Sequence, residues 1–123
     1  MQEHERRELA GKAAEYEAAA LEQLHYLCGR NAMDISYITG LGEKAFMHPH
    51  NRTCVADGID RPVPGEVSGG PCHPPVDERA RDLIAGGTPP MKCYADDDMC
   101  YSLNEIAIYW NTPVTFLAAC FDR

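Results

Sequence analysis

The feature that most limits how this chain can fold is the distribution of its apolar side chains. They gather in two end segments, about Glu5–Leu27 and Leu103–Cys120, separated by a stretch from Arg30 to Cys100 in which glycine and proline recur continually. Both ends read as helices. Leu9, Ala13, Tyr16, Ala20, Leu24 and Leu27 return at three- and four-residue steps, which is one face of an amphipathic helix, and Gly29 supplies its stop. In the second segment Ile106, Ile108, Trp110, Val114, Phe116 and Leu117 fall on nearly all sides, which predicts a helix buried on most faces. Pro113 should kink or divide it after Trp110, because proline lacks the donor for the preceding turn. The middle offers one short helix, Asp77–Ala85, opened by an aspartate cap and closed by Gly86 and Gly87.

Two helices and a long connection make a thin core for 123 residues, since a small chain buries a small share of its surface. A loop-like region of that length counts against a compact fold unless it is functional. The charge narrows the function classes: 11 Lys and Arg against 19 Asp and Glu give −8, which repels nucleic acid and anionic membrane surfaces. No apolar run approaches the ~20 residues of a membrane span, and the amino end, QEHERRELAGK, is charged where a secretion signal would be apolar.

Cys28, Cys54, Cys72, Cys93, Cys100 and Cys120 form no CxxC pair and no zinc-ribbon spacing. Cys28 and Cys120 lie in helical patterns and read as buried small hydrophobes; the other four lie in the middle region, where an oxidising compartment could pair some of them. Cys72-His73 is only half of a metal site, too little to assign a metal.

The chemistry concentrates in Tyr94–Thr112, YADDDMCYSLNEIAIYWNT, which sets Asp96 and Glu105 nine residues apart around a predicted helix start. Ser102-Leu103-Asn104-Glu105 is also a capping box, in which Glu105 would bond back to the backbone of Ser102. A helix start favours the charged carboxylate, whereas a general acid must hold its proton near neutral pH. A nearby Asp96, or burial beside Tyr101 or Trp110, would push the other way. With Asp97 and Asp98 alongside, Asp96 also fits a solvated acidic turn, and its two neighbours read as bystanders.

Tyr94, Asp96, Tyr101, Glu105, Ala107, Asn111 and Thr112 fill every fixed place of a pattern that resembles the acid-catalyst signature of family 9 glycoside hydrolases. Upstream, SYITGLGEKAFMHPHNR, Ser36–Arg52, is similar to the family's substrate-binding loop, with Ser36, Ile38, Thr39, Gly42, Lys44, Pro49, His50 and Arg52 in its constrained places. LCGRNAMDISY and ADGIDRPVPGEVSGGP extend the likeness over roughly Leu27–Phe121.

The resemblance implies an all-α fold, part of an (α/α)6 barrel of twelve helices, whose long connections build the substrate cleft. Residues 1–123 would be the carboxy-terminal portion of one catalytic domain, because the family's base, an aspartate in Asp-Ala-Gly-Asp, has no counterpart here. The implied activity is inverting hydrolysis of β-1,4-glucosidic bonds in cellulose or related β-glucans. Glu105 would be the general acid, assisted or tuned by Asp96, and His50 and Arg52, one residue apart in an extended loop, would offer donors to sugar hydroxyls. Tyr101 would stack on glucose, and His48 would be a further substrate contact. Asn51 stands where the family often has another histidine, and the sequon Asn51-Arg52-Thr53 reads as chance because a glycan there would fill the cleft.

No cofactor is required for this chemistry. Asp57 and Asp60 could help hold a structural calcium of the kind family members carry, and a solvated turn fits them equally well. The implied partners are a β-glucan polysaccharide and the amino-terminal part of the domain, with no nucleic acid or membrane, and the implied location is extracellular. The competing class is a non-catalytic carbohydrate-binding or interaction module derived from the same fold; a small acidic helical protein of unrelated role is the third.

Overall fold

The structure, a computed structural model, describes residues 3–122; residues 1, 2 and 123 of the expected domain lie outside them. Five α-helices follow in order: α1 (Glu3–Leu27), α2 (Arg52–Ala56), α3 (Glu78–Leu83), α4 (Tyr101–Asn104) and α5 (Ile108–Phe121), with a 3-10 turn at Pro90–Lys92. The extended segments between them meet only at four isolated bridges. No helix among the described residues is long and apolar enough to cross a membrane.

The first helix ends as its sequence predicts. Gly29 takes φ 123°, a conformation open to glycine, while Gly29 N donates to Tyr26 O (3.3 Å) and Arg30 N to His25 O (2.9 Å). Those two bonds satisfy carbonyls that the last helical turn would leave bare. The short third helix starts where expected, with Asp77 Oδ1 accepting from Ala80 N at 2.6 Å, and stops at Leu83, two residues early.

The core lies in the irregular middle, not between the two end helices. Tyr37, Phe46, Ala80, Tyr94, Cys100 and Leu103 form it, and Tyr26 and Leu27 at the end of α1 pack against it. Tyr37 meets Tyr94 edge-on, with ring centroids 5.2 Å apart, and Tyr26 at 5.9 Å. Each fully buried side chain of the size of Leu103 contributes about 1.5–3 kcal/mol of hydrophobic stabilisation.

Several expectations fail at the two end segments. The last helix does not run unbroken from Leu103: the chain turns extended at Glu105–Ala107, because Ser68 and His50 pair with that stretch, and then continues through Pro113 without a break. No residue of α5 is buried, and Ile108, Tyr109 and Phe116 are 84%, 67% and 68% exposed. Among the described residues α1 and the Gly65–Gly69 segment lie against it, and most of its surface stays open. For the same reason Leu9 and Tyr16 on α1 are exposed, as are Cys28 and Cys120. All six cysteines are free thiols, and burial, followed by the charges of Asp77 and Asp97, pushes Cys100 up to about 11.

The end of α5 that is covered rests on an absent side chain. A Cβ on Gly69 would stand 2.9 Å from the Trp110 indole, so the ring packs directly against the bare backbone.

Asp77 joins α3 to α4. Besides capping α3, its Oδ2 accepts from Ser102 N at 3.1 Å and from the Ser102 hydroxyl. Burial alone would raise its carboxyl, but the bonds from Ser102 and from the amides of Ala80 and Ser102 outweigh that and hold it below the usual carboxylate value. A group with a depressed folded pKa stabilises above its unfolded value, about pH 4, and that contribution is lost as pH falls through the folded value. Asp77→Ala should therefore lower stability by about 1–2 kcal/mol near neutral pH and flatten the loss of stability below about pH 4, as followed by urea unfolding across pH.

Candidate active site

The site begins where α4 is not allowed to continue. Glu105 is the residue that ends α4, with φ −60° and ψ 140°. Its amide still closes the last turn onto Tyr101 O (3.1 Å). The predicted capping box is absent, since Cys100 occupies the N-cap position and Ser102 is engaged by Asp77. Glu105 is thereby released from a helix start, and its side chain is exposed.

His50 forms a parallel bridge with Glu105, and His50 N donates to Asn104 O at 2.8 Å. Two residues distant in sequence thus become neighbours through main-chain pairing. The His50 and Tyr101 rings follow at 6.2 Å between centroids, both exposed. Of the neighbouring aromatic residues, Tyr94 is 7% exposed and belongs to the core, whereas Trp110 lies on Gly69.

Asp96 fixes the loop that carries the histidines. Its two carboxylate oxygens accept from successive amides, Met47 N and His48 N, each at 2.8 Å, and His48 Nδ1 stands 3.4 Å from Oδ2. Hydrogen bonds of this kind hold a carboxylate in one orientation. Met47, His48 and Pro49 also line a cleft of about 410 Å³ with Val55, Ile59 and Asp98.

Arg52 is not in an extended loop: it is the first residue of α2, exposed, with Asn51 as N-cap accepting from Thr53 N at 3.0 Å. Asn51 also donates through Nδ2 to Glu66, so the nitrogen a glycan would need is already occupied. Asp57 ends α2 and accepts from Ile59 N at 2.8 Å. Among the described residues no group of three His, Cys, Asp or Glu converges as a metal site, at Asp57 and Asp60 or elsewhere.

Residues that sequence reasoning passed over hold the site in place. Asn104 is fully buried: it donates to Ala95 O (2.7 Å) and Asp97 O (3.1 Å), and accepts from the Tyr94 hydroxyl at 2.5 Å. Asp97 is no bystander. It receives Arg79 Nε and Nη2 at 2.9 and 2.6 Å, and the Arg79 hydrogen bond, against burial, holds its carboxyl below the ordinary range. Asn111 ties α5 to the Gly65 carbonyl at 2.8 Å. The pattern positions of Tyr94 and Asn111 were the available signal for two of these; Asn104 and Arg79 had none.

Comparison with known proteins places this arrangement. The sequence matches the family described as Glycosyl hydrolase family 9 over residues 2–118. It is 57% identical over 102 residues to a cellodextrinase from Butyrivibrio fibrisolvens, covering 83% of this chain and 19% of that protein. It is 38% identical over 107 residues to a xyloglucan-specific endo-beta-1,4-glucanase from Bacteroides ovatus, covering 87% and 18%. Among solved structures, a thermostable endoglucanase from Alicyclobacillus acidocaldarius superposes with a TM-score of 0.81 at 43% identity, over 85% of this chain and 20% of that one. The chain therefore spans a fifth or less of the length of these relatives. Its fold is all-α, part of an (α/α)6 barrel.

Truncating Asn104 to Ala should strand one hydroxyl and two carbonyls in the interior. We expect a loss of about 2–4 kcal/mol in urea unfolding, since each unsatisfied buried group costs about 1–3 kcal/mol and part is recovered by rearrangement.

Proposed function

The chain belongs to glycosyl hydrolase family 9, and from that premise we propose that it is the carboxy-terminal portion of an endoglucanase-like catalytic domain, supplying the general acid for β-1,4-glucan hydrolysis. The observation that supports this reading is the main-chain pairing of His50 with Glu105, which brings a carboxyl group and an imidazole, both exposed, together.

In the proposed reaction Glu105 protonates the departing glycosidic oxygen. A carboxylate from the amino-terminal portion activates water on the opposite face of the sugar, and roughly 6.5–9.5 Å between the two carboxyl groups leaves room for that water and inverts the anomeric centre. His50, Arg52 and His48 hold sugar hydroxyls, and the exposed Tyr101 ring offers a stacking face. Asp96 assists by holding the loop that bears the histidines, through the amides of Met47 and His48. No cofactor takes part. The polysaccharide substrate places the enzyme outside the cell.

The open faces of α1 and α5 fit the same reading, because helices of the amino-terminal portion would cover them. Alone, the chain should be inactive on a soluble β-glucan and should self-associate in light scattering; joined to its amino-terminal portion it should be monomeric and active. In that joined form Glu105→Gln should lower kcat by about 10²–10⁴-fold. The loss should be much smaller on an aryl glycoside whose leaving group needs no proton. Undiminished turnover of glucan by the Gln variant would overturn the assignment.

A further inference from the structure

One chain of contacts leads from α3 to His50. Arg79 projects from α3 onto Asp97, whose carboxylate is only 18% exposed. The same carboxylate accepts from Met99 N at 3.0 Å, and the Asp97 carbonyl accepts from Cys100 N (2.9 Å) and Asn104 Nδ2 (3.1 Å). The turn is thus held on both sides of Asp98. The carbonyl of Asp98 stands 2.5 Å from His50 Nδ1.

A carbonyl oxygen carries no proton, so this contact is a hydrogen bond only when Nδ1 bears one. In the neutral ring the proton then sits on Nδ1, and Nε2 keeps its lone pair. The ring edge left free is an acceptor. This revises the reading of His50 as a donor and gives its partner a definite chemistry: a sugar hydroxyl that donates.

We infer that Arg79 is a positioning residue for His50: its ion pair with Asp97 sets the 97–100 turn, and the Asp98 carbonyl in that turn fixes the His50 tautomer with Nε2 as a hydrogen-bond acceptor for substrate. The inference rests on the proposed sugar-binding role of His50. With Arg79 half exposed, solvent screens the ion pair and limits what it contributes to stability by itself, so the consequence of losing it lies in where the turn sits.

The test uses the intact catalytic domain with ¹⁵N-labelled histidine, His50 being assigned by the signals lost in His50→Ala. The expected spectrum has a protonated, pyrrole-type Nδ1 and a bare, pyridine-type Nε2. In Arg79→Met the two tautomers should mix, while KM for a soluble β-glucan rises about three- to ten-fold, the equivalent of one hydrogen bond. His50 contacts ground state and transition state alike, so kcat should stay within about two-fold. Arg79→Met combined with His50→Ala should be no worse than His50→Ala alone.

Asp97→Asn reaches the same turn from the other side and serves if the Arg79 variant does not fold. A proton on Nε2 in the unaltered protein, an unchanged tautomer in both variants, or additive losses in the double variant would each overturn the inference. If the intact domain cleaves no glucan at all, the proposed function fails, and the nitrogen spectrum still decides whether Arg79 positions His50.

Discussion

The backbone from Glu105 to Ala107 cannot join the helices on either side of it, because two other segments claim its edges. His50 takes one side through the parallel bridge to Glu105 and Ser68 takes the other through the antiparallel bridge to Ile106. Ser68 adds its hydroxyl to Leu103 O at 2.7 Å, so the end of α4 is pinned just before the break. Side chains favouring a helix lose to this pairing, and the outcome is that a carboxylate stands exposed beside His50 instead of inside a capping turn. Removing the break would turn Glu105 about the helix axis and separate it from His50.

With no sheet among the described residues, buried polar side chains hold the long middle segment together. Thr39 shows how: its hydroxyl donates to Val63 O at 2.6 Å and accepts from Glu66 N at 2.8 Å, while its amide and carbonyl bind Glu66 O and Gly65 N at 2.9 Å. Asp77 does the same between α3 and α4, and Asn104 between α4 and the acidic turn. Each fully used polar group specifies one partner geometry, because a misplaced one would lie unsatisfied in the interior. The Tyr37 hydroxyl is the buried side-chain polar atom that lacks a partner among the described residues.

Much of this was legible in the sequence where the signal is local. The stop at Gly29 and the cap at Asp77 need only nearby atoms, and both stand as read. The spacing from Tyr94 to Thr112 and the Ser36–Arg52 run pointed to the two segments that the His50–Glu105 bridge joins at the candidate site. What could not be read was non-local. The division at Glu105 depends on Ser68 and His50, which lie 37 and 55 residues away in sequence. The exposure of α5 was hidden for a different reason: apolar periodicity shows which face seeks cover, not whether this stretch of polypeptide provides it. Arg79 looked like one basic residue among eleven until α3 set it against Asp97.

The bare backbone at Gly69 has a reach beyond local packing. Trp110 rests on it, the residue next to it pairs with Ile106, and Trp110 itself is in the first turn of α5. Any side chain introduced there must shove the indole, and the shove is delivered to both ends of the short extended link at once. Drift at this single position in related chains would thus be felt as a change in the aim of Glu105, by a lever that touches neither Glu105 nor His50.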